Sequence, residues 1–249
     1  MSSRPLVSVI CSTYNNPFFL EMALLSLKEQ SFKSFEVIIA DDGSGPATKK
    51  LIEKYQVIFP FLLIHAWHED KGYRKNKIQN QAISMSCGQI LVFIDDNCIC
   101  RKNFLRDHAE VYKSNKESDY ILIGRKVELG KKYTSILRPE NISKSLLGLF
   151  PFKLWLSCLD GDSRSFLRTY SVKNLFLRRV LKADHVGDIL EENYSLPKKT
   201  MAAINGLDEK NSSVNDVSSI LRKSGIKKIE KKYFAPMFQL YREERLSRT

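Results

Sequence analysis

Four short apolar runs, at residues 6–11, 35–40, 62–66 and 89–94, dominate the first hundred residues, and stretches with helical spacing separate them. Three of the runs stop abruptly at polar clusters: Ser12-Thr13-Tyr14-Asn15, Asp41-Asp42-Gly43-Ser44 and Asp95-Asp96-Asn97. Strands that are apolar on both faces and alternate with helices must be covered on both sides, which is the condition of a parallel sheet in an α/β fold. The apolar spacing predicts helices over 18–28, 47–55, 75–86 and 103–112 and a further strand over 120–124. Asn16-Pro17 and the Asp41 to Pro46 cluster punctuate these elements as a helix start and a dense turn. Ligands of such sheets bind beyond the carboxyl ends of the strands, so the three polar clusters are expected to share one crevice.

A chain of 249 residues, 43% of them hydrophobic, can bury a substantial core, and one globular unit is expected. No signal peptide is recognisable, and no stretch holds the roughly 20 apolar residues of a membrane span. The five cysteines are odd in number and mostly lie in or beside apolar segments, which suits reduced thiols in a cytosol. Cys98 and Cys100 lack the wider spacing and further ligands of a metal pair, and the four histidines show no ligand spacing either, so structural or surface roles are expected for them. The formal charge of +12 calls for an anionic partner: nucleic acid, phospholipid or a phosphorylated sugar. No zinc finger, RNP-like pattern or helix-turn-helix accompanies the basic residues, so no nucleic-acid partner is expected. Residues 166–182 mix apolar and basic side chains. They read either as a core helix with a solvated face or as a surface for an anionic membrane.

Acidic residues at one strand exit are ordinary turn formers, but two such clusters at successive exits in a basic protein point to chemistry. Grouped carboxylates can hydrogen-bond a ribose or hold magnesium or manganese against a diphosphate. The runs Val7-Ser8-Val9-Ile10-Cys11-Ser12-Thr13-Tyr14-Asn15 and Phe35-Glu36-Val37-Ile38-Ile39-Ala40-Asp41-Asp42-Gly43-Ser44 resemble the opening of family-2 glycosyltransferases. Asp70-Lys71-Gly72-Tyr73-Arg74-Lys75-Asn76-Lys77-Ile78-Gln79-Asn80 and Leu91-Val92-Phe93-Ile94-Asp95-Asp96-Asn97-Cys98 resemble the subgroup with chondroitin-polymerase-like and galactosyltransferase-like modules. The stretches from Asn193 to Lys199 and from Ile204 to Glu209 resemble that subgroup's acceptor-side segment.

The resemblance implies a GT-A fold, with a nucleotide-sugar half over 1–125 and an acceptor-side, less regular half over 126–249 of a single domain. It implies inverting transfer of a sugar from a nucleoside diphosphate, usually UDP, to a hydroxyl of a glycan or glycolipid. Thr13, Tyr14 and Asn15 would line the base pocket, Asp42 would contact uracil or ribose, and Asp95 with Asp96 would sit near ribose and metal. Arg74 and Lys77 would meet phosphate, Asp95 and Asn97 occupy the metal positions, and Asp216 matches the general base. The implied setting is polysaccharide or lipopolysaccharide assembly at the cytoplasmic face of a membrane, with peripheral contact to anionic lipid.

The chain departs from the family pattern where that pattern holds a metal. Asn97 replaces an aspartate, Asn215 stands where glutamate precedes the base, Phe238-Gln239-Leu240-Tyr241-Arg242 replaces a histidine-bearing segment, and Gln79 replaces an arginine. Mn2+ or Mg2+ therefore stays an open cofactor. Either Arg242, Arg74 or Lys77 supplies the charge of a missing cation, or the chain is a non-catalytic relative that binds nucleotide or a partner.

Overall fold

A computed structural model describes residues 4–114, 121–142, 192–210, 220, 223 and 229–241. The first half follows the alternation read from the sequence: β1 (Val7–Thr13), α1 (Pro17–Lys28), β2 (Phe35–Asp41), α2 (Pro46–Ile58), β3 (Leu63–Trp67), α3 (Lys75–Met85) and β4 (Ile90–Asp95). Asn16 caps α1, its side chain accepting from the Phe19 N–H at 3.3 Å, and Pro17 takes the first helical position, where a missing N–H costs nothing. Then come β5 (Cys98–Cys100), α4 (Phe104–Ser114), β6 (Ile121–Glu128), α5 (Lys131–Ile136), β7 (Tyr194–Pro197), α6 (Lys198–Ala203) and β8 (Ile229–Gln239).

The eight strands form one sheet in the order β3-β2-β1-β4-β7-β6-β8-β5. The left half is parallel throughout. Every residue of β1 and β2 is buried, because both faces are covered. Val9, Val37, Ile39 and Val92 point to the face packed by Leu20 and Leu24 of α1, Ile52 of α2 and Phe104 of α4. Their neighbours Ile10, Ile38, Leu91 and Phe93 point the other way, onto Ile78 and Ala82 of α3 and Met201 of α6. The strand period of two thus splits one continuous apolar run between two cores. Each fully buried aliphatic side chain there contributes roughly 1.5–3 kcal/mol.

The right half differs from the sequence reading. β6 falls where a strand was predicted, but it does not continue the parallel series: β7 enters between β4 and β6, antiparallel to both. The segment that resembled an acceptor-side element is thus a central strand, with the Tyr194 ring stacked on Phe93 at 4.5 Å and 7°. The residues after α6 also pack on α3, where Asn76 and Asn80 donate to the carbonyls of Asp208 and Leu207 at 2.8 and 3.0 Å.

A buried polar network locks β7 to α4. His108, wholly buried, has Nδ1 2.7 Å from Ser195 Oγ and Nε2 3.1 Å from Asn193 Oδ1. The neutral ring satisfies both partners by accepting from the hydroxyl and donating to the amide oxygen. Burial, only partly offset by the Asn193 bond, pushes its pKa down to about 4. The unfolded chain therefore binds a proton near pH 6.5 that the folded chain refuses. Stability present above pH 6.5 is lost as the pH falls toward 4, on the order of 3 kcal/mol in all. Replacing His108 by Gln is expected to flatten the pH dependence of the melting temperature across that window; an unchanged slope would assign the acid sensitivity elsewhere.

Candidate active site

The parallel register aligns the strand exits: Thr13 lies beside Asp41 and Ser12 beside Asp95. Each exit is braced by its own polar groups. The Asn15 N–H donates to Ser44 Oγ and the Gly45 N–H to Asn15 Oδ1, both at 2.8 Å, tying the β1 exit to the β2 exit. Asp41 Oδ1 accepts from the Ser44 N–H at 2.8 Å, and its Oδ2 lies 2.9 Å from His65 Nε2. Asp42, 4% exposed, lies 2.7 Å from His68 Nε2 and accepts from the Arg74 N–H at 3.1 and 3.3 Å. His65 and His68 thus orient the two β2-exit carboxylates.

A cavity of about 240 Å³ opens at these exits. Of the residues singled out from the sequence, Thr13, Tyr14, Asp42, Asp95 and Asp96 line it. Thr13 Oγ1 donates to Asp96 Oδ2 at 2.7 Å, and the Tyr14 hydroxyl donates to Asp70 Oδ2 at 2.7 Å, so two walls are cross-braced. Asn15 sits behind the wall as a loop brace with φ of 48°, a left-handed conformation that Asn tolerates. Arg74 holds Asp42 through its backbone, and its guanidinium donates to the Glu69 carbonyl. Lys77 is exposed on α3 and does not line the cavity. Asn97 is buried, with its Nδ2 donating to the Leu240 carbonyl at 3.3 Å. Asp216 and Arg242 lie outside the described residues, as do segments 145–156 and 166–182.

The residue that sequence reasoning missed is Lys75, which lines the cavity. Its Nζ lies 3.0 Å from Asp95 Oδ1 and 3.4 Å from Oδ2. Helical phase was the signal that could have found it. α3 starts at Lys75, so Lys75, Ile78 and Gln79 share the face toward β1, whereas Lys77 is two residues and roughly 200° away. Ile78 indeed lines the cavity, and Gln79 donates to Ser12 Oγ at 2.8 Å. Burial alone would lower the Lys75 pKa, but the Asp95 carboxylate, with Tyr73 and Glu192 beyond, outweighs it and the net shift is upward. The ammonium is therefore charged throughout the physiological range. Beneath the acidic floor, burial first and then Asp96 and Asp95 push the Cys11 thiol well up, so it is an inert packing group.

A parallel sheet with carboxylates gathered at its carboxyl edge and an antiparallel strand inserted beside β4 is the architecture of a GT-A glycosyltransferase. Residues 8–173 match glycosyl transferase family 2, and the chain belongs to that family. The uncharacterized glycosyltransferase YfnE of Bacillus subtilis is 33% identical over 110 residues, covering 44% of this chain and 27% of that protein. The GalNAc(5)-diNAcBac-PP-undecaprenol beta-1,3-glucosyltransferase of Campylobacter jejuni is 31% identical over 99 residues, covering 37% of this chain and 30% of that protein. The crystal structure of S. aureus TarS 1–349 in complex with UDP-GlcNAc superposes with a TM-score of 0.62 at 17% identity, over 96% of this chain and 59% of that one. The matches thus span under two thirds of the length of each of these relatives.

Family-2 glycosyltransferases bind nucleotide-sugar donors, often with a divalent metal. Such a hard cation takes six or more oxygen ligands, chiefly carboxylates, carbonyls and waters. Among the described residues no group of three or more His, Cys, Asp or Glu is placed to hold one. Both oxygens of Asp95 face the Lys75 ammonium, and Asn97 offers only a neutral amide oxygen, already 3.7 Å from Cys98 Sγ, so these side chains do not fit a cation cage. Among the described residues no helix is long and apolar enough to cross a membrane.

Proposed function

We propose that this chain transfers a sugar from UDP to a hydroxyl of a glycan or glycolipid, with inversion, in surface polysaccharide or lipopolysaccharide assembly. The observation that carries the proposal is the convergence of Thr13, Tyr14, Asp42, Asp95, Asp96 and Lys75 on one cavity at the carboxyl edge of the sheet. A nucleotide needs an aromatic and polar wall for its base, a carboxylate for its ribose and a cation for its diphosphate. Tyr14, Asp42 and Lys75 supply these within one crevice. The glucosyltransferase name of the Campylobacter relative and the UDP-GlcNAc bound to TarS support the donor class. In this reading residues 1–125 form the donor half of a single domain and 126–249 the acceptor half, at the cytoplasmic face of a membrane.

The chemistry asks three things of the chain. Asp42, with Thr13, Tyr14 and the Asn15 loop, holds the nucleoside. Positive charge at the diphosphate stabilises the leaving group as the glycosidic bond breaks, and Arg74 remains a neighbour for that role through its place behind Asp42. A carboxylate, Asp216, takes the proton of the acceptor hydroxyl as it attacks the face opposite the leaving group, which inverts the anomeric centre.

The test is UDP release from a panel of UDP-sugars offered with lipid-linked glycan acceptors, with the product anomer read by NMR. Transfer with inversion supports the reading, whereas UDP binding without turnover on any acceptor would leave the chain a nucleotide-binding relative. Asp216→Asn is expected to lower kcat by about 10²–10⁴-fold with donor affinity retained. Unchanged turnover removes Asp216 as the base.

A further inference from the structure

We infer that Lys75 is a built-in cation of the donor site: held on Asp95, its ammonium meets the donor diphosphate where a divalent metal would otherwise stand, and donor binding needs no metal. This rests on the nucleotide-sugar reading above and deepens it. Lys75 is the first residue of α3 and projects from it onto the carboxylate at the end of β4. Its side chain is 13% exposed and that of Asp95 24% exposed, and both belong to the cavity wall. Among the described residues lining the cavity, it is the one cation, facing Asp42, Asp95 and Asp96. Without Lys75 an incoming diphosphate would meet three carboxylates and no positive charge among the described lining residues. An ammonium has three donors, so engagement with Asp95 leaves capacity for a phosphate oxygen.

Three further features agree. The two oxygens with which Asp95 would bind a metal lie within 3.4 Å of Nζ, so cation and lysine compete for the same ligand. The side chain two residues on, Asn97, is neutral, so its amide oxygen is a weak ligand for a hard cation, and that oxygen already lies 3.7 Å from Cys98 Sγ. Behind Asp95, Glu192 is already paired with Lys126 at 3.3 Å and within 3.4 Å of Gln239 Nε2, so the next carboxylate is also occupied. A positive side chain fixed in a partly dry crevice acts on developing charge much as a bound ion does.

Two measurements on the intact chain decide it: calorimetric titration of UDP in chelator and in manganese, and the Mn2+ paramagnetic resonance signal with protein and UDP present. The wild type is expected to bind UDP equally in both buffers and to lower the free Mn2+ signal no further than the same UDP does without protein. In chelator, Lys75→Ala is expected to weaken UDP about 10–100-fold, Lys75→Arg much less, since a charge-assisted bond is lost in the first and kept in the second. Manganese should restore much of the affinity of Lys75→Ala, because Asp95 is then free to bind it. Wild-type binding that appears only with manganese, with Mn2+ taken up, overturns the inference and leaves the donor reading intact. A folded wild type that binds no nucleotide in either buffer sinks the donor reading and the inference with it. The wild-type measurements decide the matter even where an alanine variant does not fold.

Discussion

Replacing Gly43 by alanine is expected to lower the melting temperature by roughly 6–12 °C, corresponding to a loss of about 3 kcal/mol in a chain of this size. Gly43 has φ of 92°, and a Cβ there would lie 2.6 Å from Asp70 Cα and 2.7 Å from Asp70 N. The left-handed backbone alone costs a non-glycine residue about 1–2 kcal/mol. The clash adds to it, because the atoms struck are backbone and cannot swing aside. Asp70 also receives the Tyr14 hydroxyl, and Asp42 precedes Gly43, so relief of the clash moves two walls of the cavity. UDP affinity should fall at least about tenfold in the same variant, since binding groups tolerate displacements of only ~0.5 Å. Gly72 is the internal control: its φ is 86°, but a Cβ meets nothing within 4 Å. Gly72→Ala should therefore show the backbone strain without the clash. Equal melting temperatures for the two variants would remove the Gly43–Asp70 contact from the account.

The second large effect is expected at Asp42. Its carboxylate, 4% exposed, is held by His68 and the Arg74 N–H while lining the cavity. On the proposed reading Asp42→Ala removes the contact to the nucleoside, and it takes the acceptor from two part-buried donors, His68 Nε2 and the Arg74 N–H, at up to about 1–3 kcal/mol each. UDP affinity is expected to drop about 100-fold and stability by ~2 kcal/mol or more. Asp42→Asn separates the two: an amide oxygen still accepts from Arg74 N–H, so stability should recover more than affinity does. An Asn variant with wild-type UDP affinity would mean that the negative charge of Asp42 plays no part in the donor site.

The first half of the fold was legible because its physics is local. Burial on both faces makes β1, β2 and β4 nearly continuous apolar runs, and such strands end where backbone and side chains must meet water, which marks the crevice. The right half was not legible for an equally physical reason. β7 pairs with β4 across about a hundred intervening positions, and its central Ser195 is polar because His108 and Tyr112 bind it, so no apolar run announces a core strand. β5 is three residues long and follows directly on the Asp96-Asn97 turn, below the length that periodicity resolves. Within the cavity, the acidic residues were found by strand position, whereas Lys75 was passed over in favour of Arg74 and Lys77. That choice turns on helical phase: a helix starting at residue 75 sets Lys75 and Lys77 roughly 200° apart, and which of the two turns toward the sheet is decided by how α3 packs on it. Tyr14, Asp42 and Asp95 needed only the strand ends; Lys75 needed the orientation of α3 against the sheet.

Hydrogen–deuterium exchange with and without UDP tests the location of the donor site most directly. Slowed exchange is expected in peptides covering residues 12–15, 41–44, 73–76 and 95–97 and nowhere else, with the far end of the sheet unchanged. Protection elsewhere, or none at saturating UDP, would contradict a nucleotide site at the carboxyl edge of β1, β2 and β4.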